Sequence, residues 1–196
     1  LGLFLMTPAT LHGDEPASAW VRRWSHLAPT GGSVLDVACG RGRHARWFAG
    51  RGHPVVALDR SAEAIAALGL GAERCEALVA DIENGPWPLA GRQFDVVVVT
   101  NYLWRPLLPT LLASLAPGGV LIYETFAAGN ETVGKPSRPD FLLQPGELLQ
   151  LCQSLRTVAY EDGFETALAG TTARFVQRIA AVRELPAAQP AQHRLA

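Results

Sequence analysis

Three carboxylates in this chain each stand at an apolar run followed by a turn, where binding chemistry is commonly done. Asp36 lies in the run opening "VLDVACGRGRHA" (34–45), with Gly40 and Gly42 just after it. Such glycines let the backbone take left-handed conformations and let a ligand approach closely. A helix beginning after the turn offers unpaired N–H groups and a partial positive charge. Asp59 closes "HPVVALD" (53–59), where a carboxylate can accept both hydroxyls of a ribose. Asp81 closes "EALVAD" (76–81), and Ile82 follows it. That acid–apolar pair suits the amino group and ring face of an adenine. One acid at a strand end is ordinarily a solvated cap, whereas three at successive strand ends point to a ligand.

The elements that must position these acids alternate. Trp20, Val21, Trp24 and Leu27 recur at helical spacing after Pro16. A strand, the glycine turn and a helix closed by Gly50 or Gly52 follow. Then come a second strand, a helix with Ser61 as N-cap, and a third strand. "FDVVVVT" (94–100) is a strand buried on both faces. The helix in "PLLPTLLASLAPGG" ends at its Pro-Gly-Gly, and "GVLIYETF" is a fifth strand. Alternation of this kind predicts an α/β, three-layer fold with a parallel sheet. Right-handed crossovers then bring the C-terminal strand ends, and with them the acids, to one edge. Residues 127–140 form a polar loop, suited to a lid by Gly129, Gly134, Pro136 and Pro139, with Lys135 and Arg138 able to attract an anion. A helix starts at Pro145, and two strands joined through Gly170 make a terminal hairpin, so the sheet is mixed. The organisation expected is an N-terminal helical segment (1–29), one domain (30–185) and a flexible tail (186–196).

Composition narrows the function classes. Lys plus Arg is 17 against 18 for Asp plus Glu, a net charge of −1, which gives no electrostatic reason to expect a nucleic-acid partner. The opening "LGLFLM" is too short to span a bilayer. Cys39, Cys75 and Cys152 are odd in number and lack metal-site spacing, so no metal is expected and a reducing, cytoplasmic setting is.

"GRGRHA" also fits the dinucleotide fingerprint G-x-G-x-x-A, so NAD(P)-dependent oxidoreduction is an alternative. Asp36 weighs against it, because a carboxylate beside the turn repels a pyrophosphate and welcomes a cation. S-adenosylmethionine carries an adenine, a ribose, an ammonium and a sulfonium, and no phosphate. The charge pattern fits it better.

Five stretches in order resemble the successive motifs of class I S-adenosylmethionine-dependent methyltransferases: "VLDVACGRGRHA", "VVALDRS", "ALVADIEN", "FDVVVVTNYL" and "LAPGGVLIYETF". Within that class the chain is most similar to small tellurite-resistance-like bacterial members. The resemblance covers about residues 30–126 and implies a Rossmann-like, seven-stranded sheet whose last strand is antiparallel. It implies that Asp36, Ala38, Gly40 and Gly42 surround the methionine portion, that Asp59 takes the ribose with Arg60 beside it, and that Asp81 and Ile82 take the adenine. Asn101, Tyr102 and Leu103 would border the transferring methyl. The acceptor expected is a small molecule, leaving S-adenosylhomocysteine as product. A non-catalytic S-adenosylmethionine-binding regulator is the other alternative.

The remaining candidates read more plainly. His44 is a partly exposed helix residue, Cys39 a packing residue, and Arg41, Arg43, Arg46 and Arg51 a solvated face. Trp104 and Tyr102 are candidates for an acceptor pocket. Glu124, ending the fifth strand, is either a base or the cap of a loop amide. "NYLW" lacks the double proline of enzymes that methylate exocyclic base amines.

Overall fold

A computed structural model describes residues 15–167, 172–187 and 193–195. Its frame is a seven-stranded sheet: β1 (Val34–Val37), β2 (Val55–Asp59), β3 (Cys75–Val79), β4 (Phe94–Thr100), β5 (Leu115–Phe126), β6 (Arg156–Glu165) and β7 (Arg174–Val182). The spatial order is β3-β2-β1-β4-β5-β7-β6. The first five strands are parallel to one another, and β7 runs antiparallel to both β5 and β6. Strand order reverses beside β1, which places a crevice above the C-terminal ends of β1 and β4.

The inner strands β1, β2, β4 and β7 are buried on both faces, as continuous apolar runs require, while the edge strands β3 and β6 are largely exposed. Helices α1 (Ala19–Trp24), α2 (Arg43–Ala49) and α3 (Ala62–Ala66) cover one face, packing Trp20, Trp24 and Phe48 against Val96, Val98 and Ile122. Helices α4 (Leu108–Ala113) and α5 (Glu147–Leu151) cover the other, with Leu111 and Leu148 against Val97, Val99 and Leu121. Successive valines of β4 thus serve opposite layers. Removing a core side chain such as Leu121 down to Ala costs about 2–5 kcal/mol.

Several local expectations change. Pro117, Gly118 and Gly119 do not form a loop after α4, which ends at the C-cap Ser114. They lie within β5, where the register against β4 jumps from Phe94↔Leu115 to Val96↔Val120. Pro145 precedes α5 rather than opening it, because Gly146 is the N-cap. At the far end of the chain, the Arg194 carbonyl reaches His26 Nε2 at 2.7 Å. The opening "LGLFLM", the turn at Gly170 and residues 188–192 of the tail lie outside the described residues. Among those described, no helix is long and apolar enough to cross a membrane.

Candidate functional site

The glycine turn is held by two carboxylates. Helix α2 has Gly42 as its N-cap, with no side chain to satisfy the first-turn amides. Asp36 supplies the missing acceptor from β1: its Oδ2 takes the Ala45 N–H at 3.0 Å. That explains an acid inside a buried strand. Burial pushes the Asp36 carboxyl up to about 7, against the lowering effects of the Ala45 bond and Arg43. Asp59 grips the other side of the turn. Its Oδ2 accepts Gly40 N–H at 2.8 Å and its Oδ1 accepts Ser61 N–H at 2.8 Å.

Above the turn opens a cavity of about 430 Å³, a size suited to a small ligand. It brings together eight of the expected residues: Ala38, Asp59, Arg60, Asp81, Ile82, Asn101, Tyr102 and Leu103. Asp36, Gly40 and Gly42 are not among its lining residues. Asp36 is buried, and its contact is with the α2 amide rather than with the cavity. A Cβ on Gly42 would meet Leu68 Cδ2 at 2.2 Å, so this glycine permits packing of the chain after α3. A Cβ on Gly40, at φ +54°, would meet nothing within 4 Å, leaving its open side for a ligand's approach.

Several wall residues were not singled out from the sequence. Thr125 and Phe126 come from the end of β5, and Phe141 from the 3-10 turn Pro139–Phe141. The apolar "FLL" following a polar loop was the available signal for Phe141. Pro136 places the 127–140 loop directly on the cavity. That loop is tied down: Asn130 is buried, donates to Pro136 O at 2.9 Å and accepts Phe175 N–H at 3.1 Å. Arg105 donates to the carbonyls of Asp140 and Leu142 and to both oxygens of Glu147, at 2.7–2.9 Å.

Two non-glycine residues have left-handed backbone among the described residues, Ala38 (φ 52°) and Asn101 (φ 53°), and both line the cavity. Such strain costs about 1–2 kcal/mol per residue and concentrates at functional sites. Asp81 folds back on its own turn, accepting from Glu83 N, Asn84 N and Asn84 Nδ2, and these bonds hold its carboxyl below the usual range. The buried Tyr123 hydroxyl donates to Tyr102 O at 2.8 Å and fixes the loop after β4.

His44 is buried, which corrects its reading as a partly exposed residue. Its Nε2 accepts Ser18 N–H at 3.2 Å, so the proton resides on Nδ1, 3.3 Å from Thr100 Oγ1. Burial drives its pKa down to about 3, with Arg43 adding to the effect. Cys39 is a buried free thiol, pushed up by burial.

This sheet order, with one reversed strand and a cavity at the ends of β1, β2, β3 and β4, matches the Rossmann-like methyltransferase fold. Residues 34–119 match the family model described as a methyltransferase domain. Over 108 residues the chain is 36% identical to malonyl-[acyl-carrier protein] O-methyltransferase of Pectobacterium atrosepticum, covering 53% of this chain and 42% of the relative. The match therefore spans less than half of the relative's length. In fold it is similar to TehB from Haemophilus influenzae (TM-score 0.67, 20% identity, 88% of this chain and 62% of TehB). It is likewise similar to glycopeptide N-methyltransferase MtfA complexed with S-adenosyl-L-homocysteine (TM-score 0.57, 19% identity, 81% and 85% covered).

Proposed function

We propose that the cavity binds S-adenosylmethionine and that the chain transfers its methyl group to a small-molecule acceptor. One observation carries this reading: three amides of the turn and the helix start are taken by the protein's own acceptors, two of them carboxylates. Gly40 N–H goes to Asp59 and Ala45 N–H to Asp36, while Gly42 N–H goes to Cys39 O. A dinucleotide's pyrophosphate needs those donors. Asp36 thus disfavours a phosphate by filling its site rather than by facing a sulfonium.

The residues present fit the phosphate-free ligand. Asp59 retains acceptor capacity on both oxygens for ribose hydroxyls. Asp81 and Ile82 meet the adenine, with Arg60 beside the ribose. The open side of Gly40 admits the methionine portion, and Ala38 borders it. Asn101, Tyr102 and Leu103 flank the methyl end, at the strained turn after β4. Bound there, S-adenosylmethionine supplies an activated methyl group that needs no protein nucleophile. The chain's own tasks are to align the acceptor and to exclude water, the latter through Phe126, Pro136 and Phe141. Its three free thiols support a reducing, cytoplasmic setting.

The test is S-adenosylhomocysteine release from S-adenosylmethionine with a panel of thiols, halides, oxyanions, small amines and RNA. Acceptor-dependent release supports methyl transfer. Tight S-adenosylhomocysteine binding with no release across the panel favours the non-catalytic binding protein instead.

A further inference from the structure

The charged residues of the cavity all stand on one side of it. Asp59 ends β2 with Arg60 after it, and Asp81 and Glu83 follow β3. The other side is built from the end of β5 and the loop beyond it. Its lining residues, Thr125, Phe126, Pro136 and Phe141, carry no charge. In the sheet order β1 and β4 separate β2 from β5. At a strand spacing of about 4.8 Å those two strand ends lie about 14 Å apart, beyond a screening length of about 8 Å.

The loop's cations, expected to attract an anion, do not change this. Neither Lys135 nor Arg138 lines the cavity. Arg138 sits 5.3 Å from the centroid of the Phe141 ring, with its charge paired to Asp140 at 2.9 Å. Glu124, although next to Thr125, is not a lining residue and stands 4.0 Å from Arg174. What the loop does present is held in place. Asn130 donates to the Pro136 carbonyl at 2.9 Å. Arg105 donates at 2.9 Å to the carbonyls of Asp140 and Leu142, the residues on either side of Phe141. A charged group brought against this wall loses hydration and gains no partner. An uncharged ring gains apolar burial and contact with two phenylalanines.

We propose that the methyl acceptor is a small, uncharged aromatic molecule whose ring lies against Phe126 and Phe141, and that Phe141 sets this specificity. This rests on the methyltransferase reading and names its substrate class. The 430 Å³ cavity must take the cofactor as well, which keeps the acceptor small. Phe141 is 41% exposed, so replacing it leaves the core intact.

The test is amide NMR of the intact chain saturated with S-adenosylhomocysteine, titrated with benzyl alcohol, benzoate and benzylamine. These share one ring and are neutral, anionic and cationic at neutral pH. Benzyl alcohol should shift the Phe126 and Phe141 amides with a Kd about ten-fold or more below that of either charged ring. Phe141→Ala should raise the benzyl alcohol Kd about three-fold or more, with S-adenosylhomocysteine affinity within about two-fold of wild type. Phe141→Lys should bring benzoate level with benzyl alcohol or ahead of it. Benzoate or benzylamine binding the wild type as tightly as benzyl alcohol overturns the proposal, and so does absence of binding by all three. An unchanged benzyl alcohol Kd in Phe141→Ala removes Phe141 as its determinant. The comparison of the three rings on the wild type stands without any variant. Failure of the wild type to bind S-adenosylhomocysteine sinks the underlying methyltransferase reading instead.

Discussion

Gly40 N–H donates to Asp59 Oδ2 at 2.8 Å, so the acid that ends β2 holds the turn that ends β1. The same carboxylate lines the cavity. One side chain therefore both shapes the turn and walls the cavity.

Asp59→Ala accordingly loses S-adenosylhomocysteine affinity by about 1.5–3 kcal/mol, the range for hydrogen bonds to a charged group. That is roughly a 10- to 150-fold rise in Kd. The variant remains folded, because the β2 core residues Val55 to Leu58 are untouched. Calorimetry on the folded variant checks this; an unchanged Kd removes Asp59 from the site.

His44 and Asp36 give the fold opposing pH dependences. Burial lowers His44 to about 3, so between pH 3 and its unfolded value of 6.5 the unfolded chain holds more protons there. That term adds stability as pH rises through the window. Burial raises Asp36 to about 7, so between pH 3.8 and 7 the folded chain holds more protons there. That term removes stability as pH rises. The two offset each other between about pH 4 and 6.5, with slopes of up to about 1.4 kcal/mol per pH unit each. Denaturant unfolding of His44→Gln should then show a pH slope of stability more negative than the wild type's between pH 4 and 6.5, because the His44 term is gone. Asp36→Asn should show a slope more positive than the wild type's over the same range. Parallel profiles for the two variants would contradict the assignment.

The sheet was legible because its signal is local. Val96 to Val99 announce a central strand, and Asp59, Asp81 and Ile82 stand at strand ends where a 2-residue period and a turn suffice to place them. Partners far along the chain were not legible. Helical periodicity places His44 among arginines, yet its burial depends on Ser18 and Thr100, 26 and 56 residues away. The direction of the Asp36 carboxylate depends on an uncapped helix nine residues later. Thr125 and Phe126 join the cavity through the sheet order, which no single strand's pattern contains.

Arg105 ties α5 to the cavity loop through the carbonyls of Asp140 and Leu142. Arg105→Ala should release that segment with a loss of global stability of about 1 kcal/mol, since the Glu147 pair is partly exposed. Amide exchange should quicken at Phe141 and Leu142, whose N–H groups bond Arg138 O and Pro139 O. Because Phe141 walls the cavity, acceptor KM should rise more than S-adenosylhomocysteine Kd. Unchanged exchange over 139–147 would show that Arg105 does not hold the loop.

The most direct measurement is calorimetric titration of the wild-type chain with S-adenosylhomocysteine, and with NAD under the same conditions. The protein's own acceptors on the amides of Gly40, Gly42 and Ala45, with Asp59 and Asp81 on the cavity wall, predict saturable one-site binding of S-adenosylhomocysteine and no heat from NAD. Saturable NAD binding with no response to S-adenosylhomocysteine would contradict it.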